Sequence, residues 1–263
     1  MEISEKVVVV TGGASGIGAA MVTRFAAEGA GAVVALDIDG DGAATIAAAV
    51  GGSSYELDVA DDAQTRSVFN QIEDELGRID ILCLNAGIAT AGSVDVPNEV
   101  WQRTWDVNVM SHVYATRCVL PGMLARGSGY LVHTASAAGL LTNIGAAPYS
   151  VTKHAVVALA EWLSLTYGDR GIVVSALCPQ FVDTPMLDVF AGDGDAMKGW
   201  VHSLAVTPQE VAEAVVAGLA AETFLILPHP DVAVYFERKA VDYDRWLVGM
   251  RKLQASMKDK PSS

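Results

Sequence analysis

Positive charge is what this chain has least of. Its 17 lysines and arginines face 31 aspartates and glutamates, for a formal net charge of −14 at pH 7. A surface of that sign repels a nucleic-acid backbone and anionic lipid, so neither is expected as a partner. Cysteine is scarce too. Cys83, Cys118 and Cys178 lie far apart with no C-x-x-C pair, and an odd count suits reduced core thiols better than a disulfide framework. No metal site is read from the sequence. Long apolar runs are missing as well: Glu213 and Glu222 interrupt the richest stretch, Val211 to Leu227, so no membrane-spanning segment is expected. The start offers no secretory signal, because Glu2 and Glu5 precede an early Val7-Val8-Val9-Val10, and the cytoplasm is the expected compartment. What the chain has in quantity is apolar surface. At 51% hydrophobic and 18% charged over 263 residues, it can bury the core of one α/β domain spanning residues 1–263.

Short apolar strands alternate with helical stretches along the chain, the pattern of a Rossmann-type, doubly wound parallel sheet of about seven strands with helices on both faces. Lys6 to Thr11 is a β-branched run that breaks into Gly12-Gly13-Ala14-Ser15-Gly16-Ile17-Gly18 and then a helical pattern reaching Glu28. Glycines at such a junction let the backbone turn tightly and approach a pyrophosphate, whose charge the helix N-terminus stabilises. A glycine run alone would mean only a tight turn; the flanking strand and helix give it the sense of a dinucleotide site. Its spacing departs from the commoner Gly-x-Gly-x-x-Gly. The second strand, Ala32 to Leu36, stops at Asp37. A carboxylate there accepts from both hydroxyls of an adenosine ribose and repels a 2′-phosphate, which favours NAD over NADP, unless Asp37 merely closes the strand as a turn residue.

After a helix over Ile38 to Val50, a third strand, Ser54 to Leu57, ends in Asp58-Val59. That carboxylate can take the adenine amino group or cap the next helix, Asp61 to Leu76. Ile79 to Leu84 delivers Asn85-Ala86-Gly87, small residues that leave room for a ligand at a strand's carboxyl end. Val100 to Leu120 reads as mostly helical, with Asn108 as a mediocre helix former in its middle, a local inconsistency found at functional sites and also tolerated on any long helix. Gly129 to Ala135 delivers Ser136, and the helix Pro148 to Tyr167 puts Tyr149 and Lys153 on one face at i, i+4. A nearby cation favours the phenolate and lowers a tyrosine pKa from about 10. Ser136 can then hold a carbonyl or alcohol oxygen while Tyr149 moves its proton. Taken alone, the Tyr-x-x-x-Lys spacing equally describes a surface helix with a snorkelling lysine. A sixth strand, Ile172 to Leu177, ends in Cys178-Pro179. Thr207-Pro208-Gln209-Glu210 opens a helix with a capping box, and Thr223 to Leu227 is the last strand.

Together these motifs resemble those of the short-chain dehydrogenase/reductase family, in its classical branch. The likeness covers Lys6 to Leu227 and rests on Thr11-Gly12-x-x-x-Gly16-x-Gly18, Asp58, Asn85-Ala86-Gly87, Asn108, Ser136, Tyr149-x-x-x-Lys153, and Pro179 followed by Val182-Asp183-Thr184. The resemblance implies Tyr149 as general acid/base, Ser136 orienting the substrate oxygen, and Lys153 lowering the tyrosine pKa and binding the nicotinamide ribose. It implies a water held at Asn108 as a proton relay, and Val182 and Thr184 beside the nicotinamide carboxamide. Ser15, Ile17 and Val59 fall within the implied cofactor contacts. Two positions depart from the family pattern. Leu84 replaces an asparagine, and Gln180 replaces a glycine, which narrows the space for substrate beside the nicotinamide. A homotetramer or dimer is implied by the same resemblance.

The segment 182–206 carries Met186, Leu187, Val189, Phe190, Met197 and Trp200 among glycines and aspartates, and reads either as a mobile lid over a hydrophobic or aromatic substrate or as short core-packing helices. Leu140 to Ile144 is expected to line the same pocket, with Gln180, Met186 and Phe190. The tail, 231–257, has apolar residues at helical spacing and covers either a neighbour's pocket or its own subunit; 258–263 reads as disordered. The expected activity is NAD-dependent interconversion of a secondary alcohol and a ketone. A non-catalytic NAD-sensing protein on the same fold is the alternative, and an epimerase or dehydratase is disfavoured by the glycine spacing.

Overall fold

A computed structural model describes residues 1–191 and 202–258, with side chains to 189 and from 202 to 256. Seven strands form one sheet in the order β3-β2-β1-β4-β5-β6-β7, and every neighbouring pair is parallel. They are β1 Val7–Thr11, β2 Ala32–Asp37, β3 Ser53–Glu56, β4 Ile81–Leu84, β5 Gly129–Thr134, β6 Ile172–Leu177 and β7 Leu225–Ile226. Strand order reverses between β1 and β4. Chain leaving these two strands moves apart and opens a crevice at their carboxyl ends, where open α/β sheets take ligands.

Period-two alternation explains why a run such as Val7 to Val10 can be apolar throughout. Val8 and Val10 face one layer with Met21, Phe25 and Val215, whereas Val9 faces the other with Phe69, Ile72 and Val119. The first layer is covered by helices Gly16–Ala27, Gly40–Ala49 and Pro208–Ala221, and the second by Asp62–Leu76, Ser111–Arg126 and Ala147–Tyr167. Local chemistry sets their ends. Asp39 and Asp61 cap helices by accepting from Gly42 N–H and Gln64 N–H, Gly77 closes one in the left-handed region, and Thr207 with Glu210 forms the expected reciprocal box.

The structure refines three expectations. The helical pattern from Val100 is not continuous: helix Asn98–Trp105 passes into π geometry over Asp106–Met110 and resumes as Ser111–Arg126, running on through Pro121. The last strand pairs only over Leu225–Ile226. The tail is two helices, Asp231–Val241 and Tyr243–Lys258, because Asp242 leaves helical geometry and its carboxylate accepts from Arg245 N–H at 3.0 Å. Within 182–206, Val182 and Val206 form an isolated parallel bridge, with Asp183 N–H bonded to Val206 O and Val206 N–H to Phe181 O, and Pro185–Ala191 is a short helix. Met197 and Trp200 lie outside the described residues, as does the expected disorder beyond 258. No described helix is long and apolar enough to cross a membrane.

Candidate active site

The glycine loop is shaped by close approach. Gly12 adopts φ 68°, and a Cβ there would stand 2.9 Å from Ala86 Cα; a Cβ on Gly18 would land on the Gly12 carbonyl. Thr11 joins this loop to β4: its Oγ1 accepts from Asn85 N–H and Ala86 N–H at 2.9 and 3.0 Å, while Asn85 Nδ2 donates to Thr11 O. Ser15, extended before Gly16, makes no side-chain cap, so the first N–H groups of the helix face the crevice. Asp37 Oδ2 accepts from Ala14 N–H and Oδ1 from Asp39 N–H, both at 3.0 Å. Its carboxylate is therefore anchored to the loop while each oxygen keeps acceptor capacity for a ribose hydroxyl.

Asp58 resolves its two readings differently. Asp61, not Asp58, caps the following helix. The Asp58 carboxylate accepts from Ala60 N–H and pairs with Arg103, NH1 to Oδ2 at 3.2 Å and NH2 to Oδ1 at 3.4 Å. Arg103 is a cleft residue that sequence reasoning missed; one arginine on a polar helix face carries no signal of its own.

At the other end of the cleft, Tyr149 and Lys153 are 7% and 3% exposed, with Nζ 5.7 Å from the tyrosine ring centroid and 2.9 Å from the Thr134 carbonyl that accepts from it. Ser136 Oγ accepts from Ala138 N–H at 3.0 Å, donates toward Pro179 O at 3.4 Å, and the side chain hydrogen-bonds the Tyr149 hydroxyl. Burial pushes the tyrosine up from its ordinary value, and the bond to Ser136 opposes it. Burial also brings Lys153 down to about 8. Desolvation therefore sets the direction for Tyr149, against the expected lowering, and what opposes it is the bond to Ser136 and not the Lys153 charge.

Asn108 is fully buried on the π segment. Its Oδ1 accepts from Ile88 N–H at 2.8 Å, and its Nδ2 donates to Ile88 O at 3.0 Å and to Thr152 Oγ1 at 3.2 Å. The amide thus ties the loop after Asn85-Ala86-Gly87 to the helix that carries Tyr149 and Lys153. Wide turns of this kind recur at functional sites because they re-aim one residue within a helix.

These groups line one cleft of about 390 Å³. Gly12, Ser15, Gly16, Ile17, Asp37, Asp58 and Val59 form one end. Asn85, Ala86, Gly87, Ser136, Tyr149 and Lys153 form the other, with Pro179, Gln180, Val182, Thr184 and Met186 along its edge. Gly18 lies beneath the loop and Asn108 behind the wall. Leu140 is 3% exposed and turned into the core by the one-turn helix Ala138–Leu141, and neither it nor Ile144 lines the described cleft. The Phe190 side chain lies outside the described residues. Leu187 of the 182–206 segment adds apolar wall, as do Ile88 and Val107, which were not singled out in the sequence. Gln180 is held through its N–H to His229 Nδ1, while His229 Nε2 bonds Phe181 O.

Residues 6–193 match the family model described as short chain dehydrogenase. The chain is 34% identical over 245 residues to 1-deoxy-11-beta-hydroxypentalenate dehydrogenase of Streptomyces exfoliatus, covering 89% of this chain and 86% of the relative. Meso-2,3-butanediol dehydrogenase of Serratia marcescens is 34% identical over 238 residues, covering 84% and 90%. Among solved structures, a short-chain dehydrogenase/reductase from Burkholderia phymatum in complex with NAD superposes with a TM-score of 0.83 at 27% identity, covering 93% of this chain and 96% of that one.

Proposed function

The chain belongs to the short-chain dehydrogenase/reductase family, and from that premise we propose that it is an NAD-dependent oxidoreductase interconverting a secondary alcohol and a ketone, acting on a hydrophobic or aromatic substrate. The observation that carries the reading is the meeting of Ser136, Tyr149 and Lys153 at one end of a cleft whose other end holds Asp37. The cradle fits a dinucleotide: the uncapped helix start and close-packed glycines suit a pyrophosphate, and Asp37 suits a ribose without a 2′-phosphate. Asp58 and Val59 would hold the adenine, Asn85 to Gly87 the middle of the cofactor, and Lys153, Val182 and Thr184 the nicotinamide half. When bound, the dinucleotide supplies the hydride chemistry.

The protein's own residues manage the proton. Ser136 donates a hydrogen bond to the substrate oxygen and fixes it beside the Tyr149 hydroxyl. In reduction Tyr149 gives its proton to that oxygen as the carbon gains hydride; in oxidation it takes the alcohol proton as the carbon loses hydride. The Lys153 charge stabilises the phenolate that forms, and Asn108 holds the helix and loop in register and belongs to the proposed relay to solvent. Ile88, Val182, Met186 and Leu187 favour an apolar substrate body. Meso-2,3-butanediol, the substrate in one relative's name, is itself a secondary alcohol. Exposed Trp162 and Leu165 on the helix Ala147–Tyr167 support self-association as a dimer or homotetramer.

The test is nicotinamide absorbance with NAD and NADP in parallel against secondary alcohols and ketones from small aliphatic to aryl and steroid. Turnover favouring NAD is expected. Preference for NADP would overturn the role of Asp37, and tight NAD binding without turnover on any substrate would favour the cofactor-sensing alternative.

A further inference from the structure

We infer that Lys239, on the tail helix Asp231–Val241, is a positioning residue for the catalytic serine, acting through the one-turn helix Ala138–Leu141. The inference rests on the alcohol–ketone reading and adds to it a residue from outside the cleft. Lys239 is 7% exposed, and among the described residues no carboxylate lies within ion-pair distance of it. Its Nζ donates to Leu140 O at 2.6 Å, a contact spanning 99 residues of chain, and lies 5.3 Å from the Tyr243 ring centroid.

The link to the serine lies at the other end of the same turn. Ala138 N–H, at the turn's first residue, donates to Ser136 Oγ at 3.0 Å and so sets where the serine hydroxyl stands relative to Tyr149. A single turn has few internal bonds, and its last carbonyls lack helical partners; Lys239 takes one of them. In the middle, Gly139 presses on the catalytic helix so closely that a Cβ there would stand 2.5 Å from Lys153 O. The exit is tied by Asn143 N–H to Ser150 Oγ at 2.9 Å, one residue beyond Tyr149. The turn is therefore wedged between the backbone of Lys153 and the ammonium of Lys239, with the Ser136 oxygen bonded to its leading N–H. Loss of the ammonium frees the far end and lets the near end shift.

The experiment is a double-mutant cycle of Lys239→Met with Ser136→Ala, read as kcat, KM and cofactor Kd using an alcohol that the wild type oxidises, under single-turnover conditions where rates are low. Lys239→Met is expected to lower kcat about tenfold with cofactor Kd changed less than about twofold, and to have less than about a twofold effect when Ser136 is already alanine. Lys239→Arg, which keeps charge and donor, should restore most of the loss. Equal losses in both backgrounds, a matching loss of cofactor binding, or an unchanged kcat would overturn the inference while leaving the alcohol–ketone reading in place. An inactive wild type would overturn that reading, and this inference with it. Should Lys239→Met fail to fold, Lys239→Gln, which keeps an N–H donor without the charge, enters the same cycle with the same outcomes.

Discussion

Lys153 is an ammonium in a dry site, and burial takes its pKa from 10.5 to about 8. That fall corresponds to about 3 kcal/mol opposing the charged form in the folded state. Below pH 8 both folded and unfolded chains hold the proton and the folded chain bears the whole penalty. Between about 8 and 10.5 only the unfolded chain holds it, so this group's contribution to stability rises with pH across that window. Lys153→Met, which removes the charge and also its bond to Thr134 O, is predicted to abolish activity yet raise unfolding free energy by about 2 kcal/mol at pH 7, by urea denaturation, with the gain shrinking toward pH 10. A destabilised variant would contradict this. The i, i+4 pairing was legible from spacing alone, but the direction in which Tyr149 is pushed was not: it depends on how much water the fold removes, and no residue count reports that.

At the scale of elements, the end of helix Asp62–Leu76 and the start of helix Gly16–Ala27 separate local from tertiary demands on glycine. Gly77 closes its helix at φ 77° with nothing within 4 Å of where a Cβ would stand, whereas a Cβ at Gly18 would strike the Gly12 carbonyl of the glycine loop. Gly77→Ala is predicted to lower stability by about 1 kcal/mol and leave cofactor affinity unchanged. Gly18→Ala should weaken it at least about tenfold, by fluorescence titration, with a stability loss of about 1–3 kcal/mol. Equal cofactor affinities in the two variants would contradict the loop packing described. Strands and capped helices were legible because alternation and cap chemistry are local. Asn108 announced itself as a poor helix former, and the π segment is there, but its bonds to Ile88 and Thr152 are tertiary. Leu140 was misplaced for a similar reason: its apolar character fits a pocket or a core, and only the turn at Ala138–Leu141 chooses.

Across the whole molecule, acid sensitivity should follow from two histidines that share the layer between β5 and the helix Ser111–Arg126. His112 Nδ1 and His133 Nδ1 are 3.0 Å apart, both residues are at most 1% exposed, and among the described residues neither Nε2 atom has a hydrogen-bond partner. Burial holds His133 down at about 3 and His112 well below its ordinary value. From pH 6.5 down to about 3 the unfolded chain gains these protons while the folded chain does not, so stability falls as pH drops through that window. The double variant His112→Leu/His133→Leu is predicted to lose less stability than wild type between pH 6.5 and 4.5, by urea midpoint; an identical slope would contradict it. Neither histidine stood out in the sequence, since one lies on a helix and the other on a strand and only the sheet order brings them together. The parallel sheet and the family were legible from ordered motifs, whereas the contacts of the tail with Leu140 were not.

In the proposed mechanism Tyr149 moves the substrate proton in a site otherwise built to hold cofactor. The measurement that tests it most directly is turnover and cofactor Kd of Tyr149→Phe beside wild type. The account predicts a fall in kcat of at least about 100-fold with cofactor Kd changed by no more than about threefold. Retained turnover, or a loss explained entirely by weaker cofactor binding, would contradict it.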